Sequence, residues 1–193
     1  MPAEIFLIRH GETEWSRSGQ HTSRTDLPLT AEGRLRAAAI GQFLGGRQFA
    51  LVLTSPLRRA IETSRLAGYE AVIEPDLHEW DYGSYEGLTS DEIHKTAQGW
   101  TIWNGTPPGG ESAEQVGARA DRVIERCVAV IAGSPGSDAA LFAHGHLLRV
   151  LASRWLGIAP ESGRFFALST GSVSVLGRER ETRVIQRWNQ LAV

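Results

Sequence analysis

Short apolar runs that stop at a histidine and a glycine constrain this chain most. Residues 4–8 lead through Arg9 into His10-Gly11, and residues 139–143 lead directly into His144-Gly145. Runs of that length suit buried strands, whereas a helix needs ten residues or more to build a face. Residues 51–54 and 71–73 read as further strands. Helix signals lie between them. Thr30 caps a helix to about Leu44 that Gly45-Gly46 stops. Pro56 opens a helix to about Ala67, and residues 89–97 form a short one. Ser112 and Gln115 make a capping-box pattern before a long helix to about Ile131. Residues 147–156 form the next helix, and residues 172–176 and 183–188 alternate as a hairpin. Strands alternating with helices predict an α/β layered fold with a mostly parallel sheet. Ligands in such folds bind beyond the carboxyl ends of the strands, so two histidines far apart in sequence can share one edge.

The 193 residues are read as one domain, 1–193, long enough to bury a core. A net charge of -2 provides no overall field for nucleic acid or an anionic membrane. Among the 20 basic residues Lys95 is the only lysine. Arginine holds planar oxyanions in a two-pronged grip, although genome composition accounts for most surface arginines. Cys127 is alone, which leaves no intramolecular disulfide and no cysteine metal cluster. It shares an amphipathic run with Val116, Val123, Ile124, Val128 and Ile131 and reads as core. No stretch has the pattern of a secretory signal or a membrane span, and a cytoplasmic location is expected.

Four stretches carry chemistry. In Arg9-His10-Gly11-Glu12, neutral imidazole is a nucleophile near neutral pH and Arg9 can neutralise an incoming phosphate; the alternative is a surface turn. Ser55-Pro56-Leu57-Arg58-Arg59-Ala60 opens a helix whose free N–H groups favour an anion, and only one of the two arginines can share that face. Phe142-Ala143-His144-Gly145-His146 offers a histidine that, as imidazolium, donates to a phosphoryl oxygen, or else a packed or metal-bound histidine. In Leu77-His78-Glu79-Trp80-Asp81-Tyr82-Gly83, Glu79 or Asp81 can protonate a leaving alkoxide, or be an ordinary solvated carboxylate.

Residues 7–15, Leu-Ile-Arg-His-Gly-Glu-Thr-Glu-Trp, resemble the signature of the histidine phosphatase superfamily, which includes the cofactor-dependent phosphoglycerate mutases. The likeness continues in order through Asp26-Leu27-Pro28-Leu29-Thr30, Ser55 to Ala60, Glu79 with Tyr82-Gly83, Gly110-Glu111-Ser112 and His144-Gly145. It implies a three-layer α/β sandwich with helices on both faces of the sheet, like that of the mutases. It implies that His10 is the phosphorylated histidine, that Arg9, Arg59 and His144 clamp the phosphate, and that Glu79 donates the proton. Ser16 stands where family members commonly have asparagine, and is a shorter phosphate ligand. Residues 14–20, 79–87 and 142–146 are closest to the branch with fungal sedoheptulose bisphosphatases and small bacterial acid phosphatases. The mutase branch carries paired arginines in an insertion where this chain has Trp100, Trp103, Pro107 and Pro108, and threonine-glycine in place of Thr22-Ser23.

The resemblance therefore implies a phosphatase acting on small phosphorylated metabolites, with no cofactor, no metal, no nucleic acid and no membrane. A mutase is the main alternative. A metallohydrolase on His10, His144, His146 and Glu79, and a non-catalytic phosphate-binding module, are others. Expected substrate contacts are Ser16, Thr22, Ser23, Gly145 and His146. Arg17, His21 and Arg24 are expected to ring the mouth and hold a second anionic group, with Tyr82 and Trp103 against a sugar. The oligomeric state is not encoded in these patterns.

Overall fold

A computed structural model describes residues 3–133 and 137–192. Six strands form one sheet: β1 (Ile5–Arg9), β2 (Phe49–Thr54), β3 (Val72–Ile73), β4 (Asp138–Ala143), β5 (Ser172–Glu179) and β6 (Thr182–Leu191), in the order β3-β2-β4-β1-β5-β6. All pairings among β1 to β4 are parallel, while β5 is antiparallel to both β1 and β6, so β5 alone runs the other way. Six α-helices accompany them: α1 (Glu14–Ser18), α2 (Ala31–Leu44), α3 (Arg58–Leu66), α4 (Ser90–His94), α5 (Ala113–Gly133) and α6 (Gly145–Trp155).

Strand side chains alternate between two faces, and each face has its own core. Ile5, Leu7, Leu141 and Ala143 pack with Val116, Val123, Cys127, Leu147 and Leu151 from α5 and α6. Phe6, Ile8, Ala140 and Phe142 pack with Ile40 and Leu44 of α2 and with Ala67 after α3. The result is the three-layer sandwich expected. Each fully buried aliphatic side chain contributes about 1.5–3 kcal/mol of transfer free energy, so covering both faces fixes the central strands firmly.

Several boundaries differ from the sequence reading. Pro56 lies before α3, not inside it: Leu57 occupies the extended N-cap position, and the first helical N–H, that of Arg58, donates to Asp26 Oδ1 at 2.7 Å. The α6 helix begins at Gly145, two residues early, because a carboxylate from a distant loop caps it. Thr89 caps α4, which ends at His94. The helix α1 was not foreseen. Its signal is a capping box in which Thr13 Oγ1 accepts from Ser16 N while Ser16 Oγ accepts from Thr13 N. Val72–Ile73 is an exposed two-residue edge strand.

The sheet register positions the functional edge. Arg9 pairs with Ala143 and Thr54 with Phe142, so His10, His144 and Ser55 emerge side by side where β1, β4 and β2 end. The loop after β1 then packs against α2 without room for side chains. A Cβ on Gly11 would lie 2.3 Å from Gly33 O, and one on Gly33 would lie 2.2 Å from Glu12 O. Replacing a helical glycine by alanine ordinarily stabilises by up to about 0.5–1 kcal/mol. Gly33→Ala is expected instead to destabilise by about 1–3 kcal/mol, since backbone must move to admit the methyl. Urea unfolding checks the sign, and an increase in stability would contradict the packing described.

Candidate active site

His10 sits at the end of β1, its backbone N–H donating to Ala143 O at 3.0 Å. Its side chain is almost fully buried, and Nδ1 lies 2.7 Å from Gly11 O. A carbonyl can only accept, so Nδ1 carries the hydrogen and Nε2 keeps its lone pair. Burial, then the charges of Arg59 and Arg9, hold the His10 pKa well below its ordinary value. The ring is neutral.

Arg9 lies deep beside it. Nη1 donates to Leu168 O at 2.5 Å, and Nε is buried with no partner among the described residues. Gly145 makes room for this guanidinium: a Cβ there would approach Arg9 Cζ to 3.2 Å. Burial lowers the Arg9 pKa, with Glu79 and Tyr82 opposing. A buried guanidinium N–H without an acceptor is costly.

Arg59 and His144 form the wall behind His10 and do not line the cavity. Arg59 is 1% exposed; its Nε donates to His144 Nδ1 at 3.2 Å, while Nη1 and Nη2 donate to Thr25 O and Thr22 O, each at 3.1 Å. Since His144 Nδ1 accepts, Nε2 bears the hydrogen and donates to Ser55 Oγ at 2.7 Å. Burial, then Arg59, hold His144 well below its ordinary pKa. This corrects the expected imidazolium: both ring nitrogens are occupied by protein partners, and the ring is neutral. The α3 terminus likewise offers less than expected. Asp26 accepts from Arg58 N, and Ser55 Oγ from Leu57 N.

Glu79 comes from the loop after a short 3₁₀ turn at Pro75–Leu77. Its carboxylate caps α6: Oε1 accepts from Trp80 N at 2.8 Å and Leu147 N at 2.9 Å, and Oε2 from His146 N at 3.1 Å. Helix N-termini favour negative charge, which explains why α6 can start at Gly145 although His144 provides no side-chain cap. Oε2 is the less engaged oxygen, and Glu79 lines the cavity. Arg119 supports its loop by donating to the carbonyls of Asp76 and His78 while pairing with Glu111. Asp81, the other carboxylate considered, pairs with Arg24 and does not line the cavity.

The cavity has a volume of about 370 Å³, a size suited to small molecules. Of the expected contacts, Ser16, His21, Thr22, Tyr82, Trp103, Gly145 and His146 line it with Arg9, His10 and Glu79. Ser16 spends its hydroxyl on the α1 cap. Tyr82 Oη is 2.6 Å from His146 Nδ1. Burial holds that histidine well below its ordinary pKa and that phenol well above, so the phenol donates to a neutral ring. His21 packs edge-on to Tyr82, with ring centroids 4.8 Å apart. Ser23, Arg17 and Arg24 are placed elsewhere. Ser23 is buried, its N–H bonded to Glu86. Arg17 pairs with Glu14 one turn away on α1, on its solvent side, and Arg24 is exposed. Thr13, Trp100 and Arg149 line the cavity and were not anticipated. Arg149 lies four residues after Gly145, the spacing of one helix face, and that was the signal available. Among the described residues no group of three or more His, Cys, Asp or Glu is placed to share a metal ion. No helix there is long and apolar enough to cross a membrane.

Comparison with known proteins places this geometry. Residues 5–191 match the histidine phosphatase superfamily (branch 1), and the chain belongs to that family. It is 38% identical over 182 residues to an acid phosphatase of Mycobacterium tuberculosis, covering 93% of this chain and 88% of the relative. It is 36% identical to the sedoheptulose 1,7-bisphosphatase of Saccharomyces cerevisiae, covering 79% and 67%. The solved structure of the product of a Mycobacterium tuberculosis open reading frame superposes with a TM-score of 0.94, at 36% identity and 99% coverage of each chain.

Neighbouring arginines should behave very differently. Arg59→Ala removes charged hydrogen bonds to three groups and empties a buried site, so it is expected to destabilise by about 2–4 kcal/mol and to lower turnover on the order of 100-fold. The exposed Arg58 should tolerate alanine within about 0.5 kcal/mol. Denaturant unfolding with phosphatase assays checks both, and equal effects would contradict the assigned helix register.

Proposed function

We propose that the chain, acting as one domain, hydrolyses phosphate monoesters of small metabolites, sugar phosphates among them, through a phosphohistidine on His10. One observation carries the reading: a neutral buried histidine with a free Nε2 shares a cavity with its neighbour Arg9 at the end of β1 and with the Glu79 carboxyl group, which reaches it from a separate loop.

In the first step Nε2 of His10 attacks phosphorus in line and the bond to the leaving oxygen breaks. Glu79, protonated on Oε2, passes its proton to that oxygen, and the alcohol departs. Arg9, which lines the same cavity, takes phosphoryl oxygens, and the charge of Arg59 adds to the field from behind the ring. In the second step the Glu79 carboxylate takes a proton from water as the water oxygen attacks phosphorus. The P–N bond breaks, its electrons return to Nε2, and inorganic phosphate leaves. Fixed positive charge stabilises charge spread over the equatorial oxygens in both steps. The acid phosphatase and bisphosphatase relatives support hydrolysis. So does the stretch that holds paired arginines in mutases, which here supplies Trp100 and Trp103 to the cavity wall.

Glu79→Gln tests the acid. An alkoxide needs a proton as it departs, whereas p-nitrophenolate leaves without one, so the phosphorylation step should slow far more for a sugar phosphate than for p-nitrophenyl phosphate. The second step should slow for both, which gives the aryl ester a burst followed by slow turnover. Single-turnover kinetics separates the steps. An equal loss for both esters in the first step would remove Glu79 from the acid role.

A further inference from the structure

We propose that Asn189, on the last strand, is a positioning residue for Arg9, aiming its guanidinium through a single peptide group that lies between them. The inference rests on the phosphatase reading, in which Arg9 takes phosphoryl oxygens, and adds the residue that holds Arg9 in place. Among the described residues Leu168 O is the hydrogen-bond partner of the Arg9 guanidinium, accepting from Nη1 at 2.5 Å. That carbonyl belongs to the same peptide group as the N–H of Ser169, and Ser169 N donates to Asn189 Oδ1 at 2.7 Å. The peptide group is planar and rigid. Fixing its N–H therefore fixes the direction of its C=O, the atom that Arg9 reaches. Each bond in such a chain also polarises the next.

Strand β6 departs from regular geometry to make this contact. Asn189 has a left-handed backbone, with φ 55°, and the other non-glycine residue of that kind among those described is Arg180, in the turn between β5 and β6. Val173 pairs with Gln190 and Val175 with Arg187, so Trp188 and Asn189 together oppose Ser174 alone. This is a β-bulge, and Ser174 Oγ stitches it by accepting from Asn189 N at 2.9 Å. In a regular strand neighbouring side chains point to opposite faces. Here both reach one short segment: Trp188 Nε1 donates to Ala167 O at 2.5 Å while Asn189 holds Ser169 N. Asparagine tolerates left-handed backbone and carries a short side-chain acceptor. The turn held in this way also meets the main chain of the site, with Gly171 N donating to His10 O at 3.0 Å and to Arg9 O at 3.2 Å. Asn189 does not line the cavity, so it acts on substrate through Arg9.

The test uses Asn189→Gly, which permits the left-handed backbone and removes the acceptor, and Asn189→Asp, which retains an acceptor oxygen. Asn189→Gly is expected to lower kcat/KM for p-nitrophenyl phosphate roughly 10- to 100-fold, as small misplacements of a binding group do. Calorimetric binding of inorganic phosphate should weaken about 10-fold. Asn189→Asp should recover most of both losses. The Arg9 Nη1–H resonance, identified by its loss in Arg9→Lys, should shift in Asn189→Gly and move back in Asn189→Asp. Urea unfolding sets conditions in which every chain is folded. A glycine variant that is less stable but keeps the parent's kinetics, phosphate affinity and Arg9 resonance would overturn the proposal. In the parent itself, the amide of the exposed Ser169 should exchange slowly with solvent, and unprotected exchange would overturn the proposal whatever the variants do. A parent chain that neither hydrolyses p-nitrophenyl phosphate nor binds inorganic phosphate would overturn the phosphatase reading, and this inference with it.

Discussion

Two arginines, Arg9 and Arg59, are held inside the molecule beside a histidine, and the rest of the site follows from accommodating them. Burial lowers the pKa of both guanidinium groups, and Glu79 heads the charges that oppose this for each. Carbonyl oxygens of Leu168, Thr22 and Thr25 each accept from one of their nitrogens. Charge in a water-poor setting acts over longer range than at the surface. Burial first, and then the field of these two arginines, keeps His10 unprotonated.

Much of the remaining structure serves to hold these charges still. The loop that supplies carbonyls to Arg59 is fixed from its other side by Glu86, whose carboxylate accepts from Ser23 N and Thr25 N. The Glu79 loop is bound by Arg119 and Glu111, with Glu111 accepting from Asp81 N. Glu79 has a double attachment: it caps α6 from outside and lines the cavity. Helix start and the placing of His146 are thus coupled through one carboxylate. Preorganisation of this kind lets fixed dipoles stabilise a transition state without rearranging.

The sheet and its helices were legible in the sequence because buried strands and capped helices leave strong local patterns. The pairing of His10 with His144 was legible as a possibility, since both follow strands, and the parallel register of β1 and β4 realised it. What escaped was decided by contacts between distant residues. Asp26 and Glu79 cap helices more than thirty residues away, so helix starts near Pro56 and Leu147 were misplaced by two residues. The protonation of His144 depended on Arg59 and Ser55 meeting its two nitrogens, which no local pattern encodes. Arg24 looked like a rim cation because its partner, Asp81, declares itself only in three dimensions, and Arg17 because its i,i+3 partner Glu14 lies on the short helix α1, which was not foreseen. Arg149 was hidden by the opposite error, as one arginine among many on an amphipathic helix.

The central claim is covalent: phosphate passes through His10. Mixing the parent chain with a ³²P-labelled monoester, quenching within milliseconds in alkali to preserve the acid-labile P–N bond, and locating the label by peptide mapping tests it directly. The account predicts label on Nε2 of His10, formed and lost at rates consistent with turnover and absent from His10→Ala. Label on a serine or aspartate, or full turnover by His10→Ala, would contradict it.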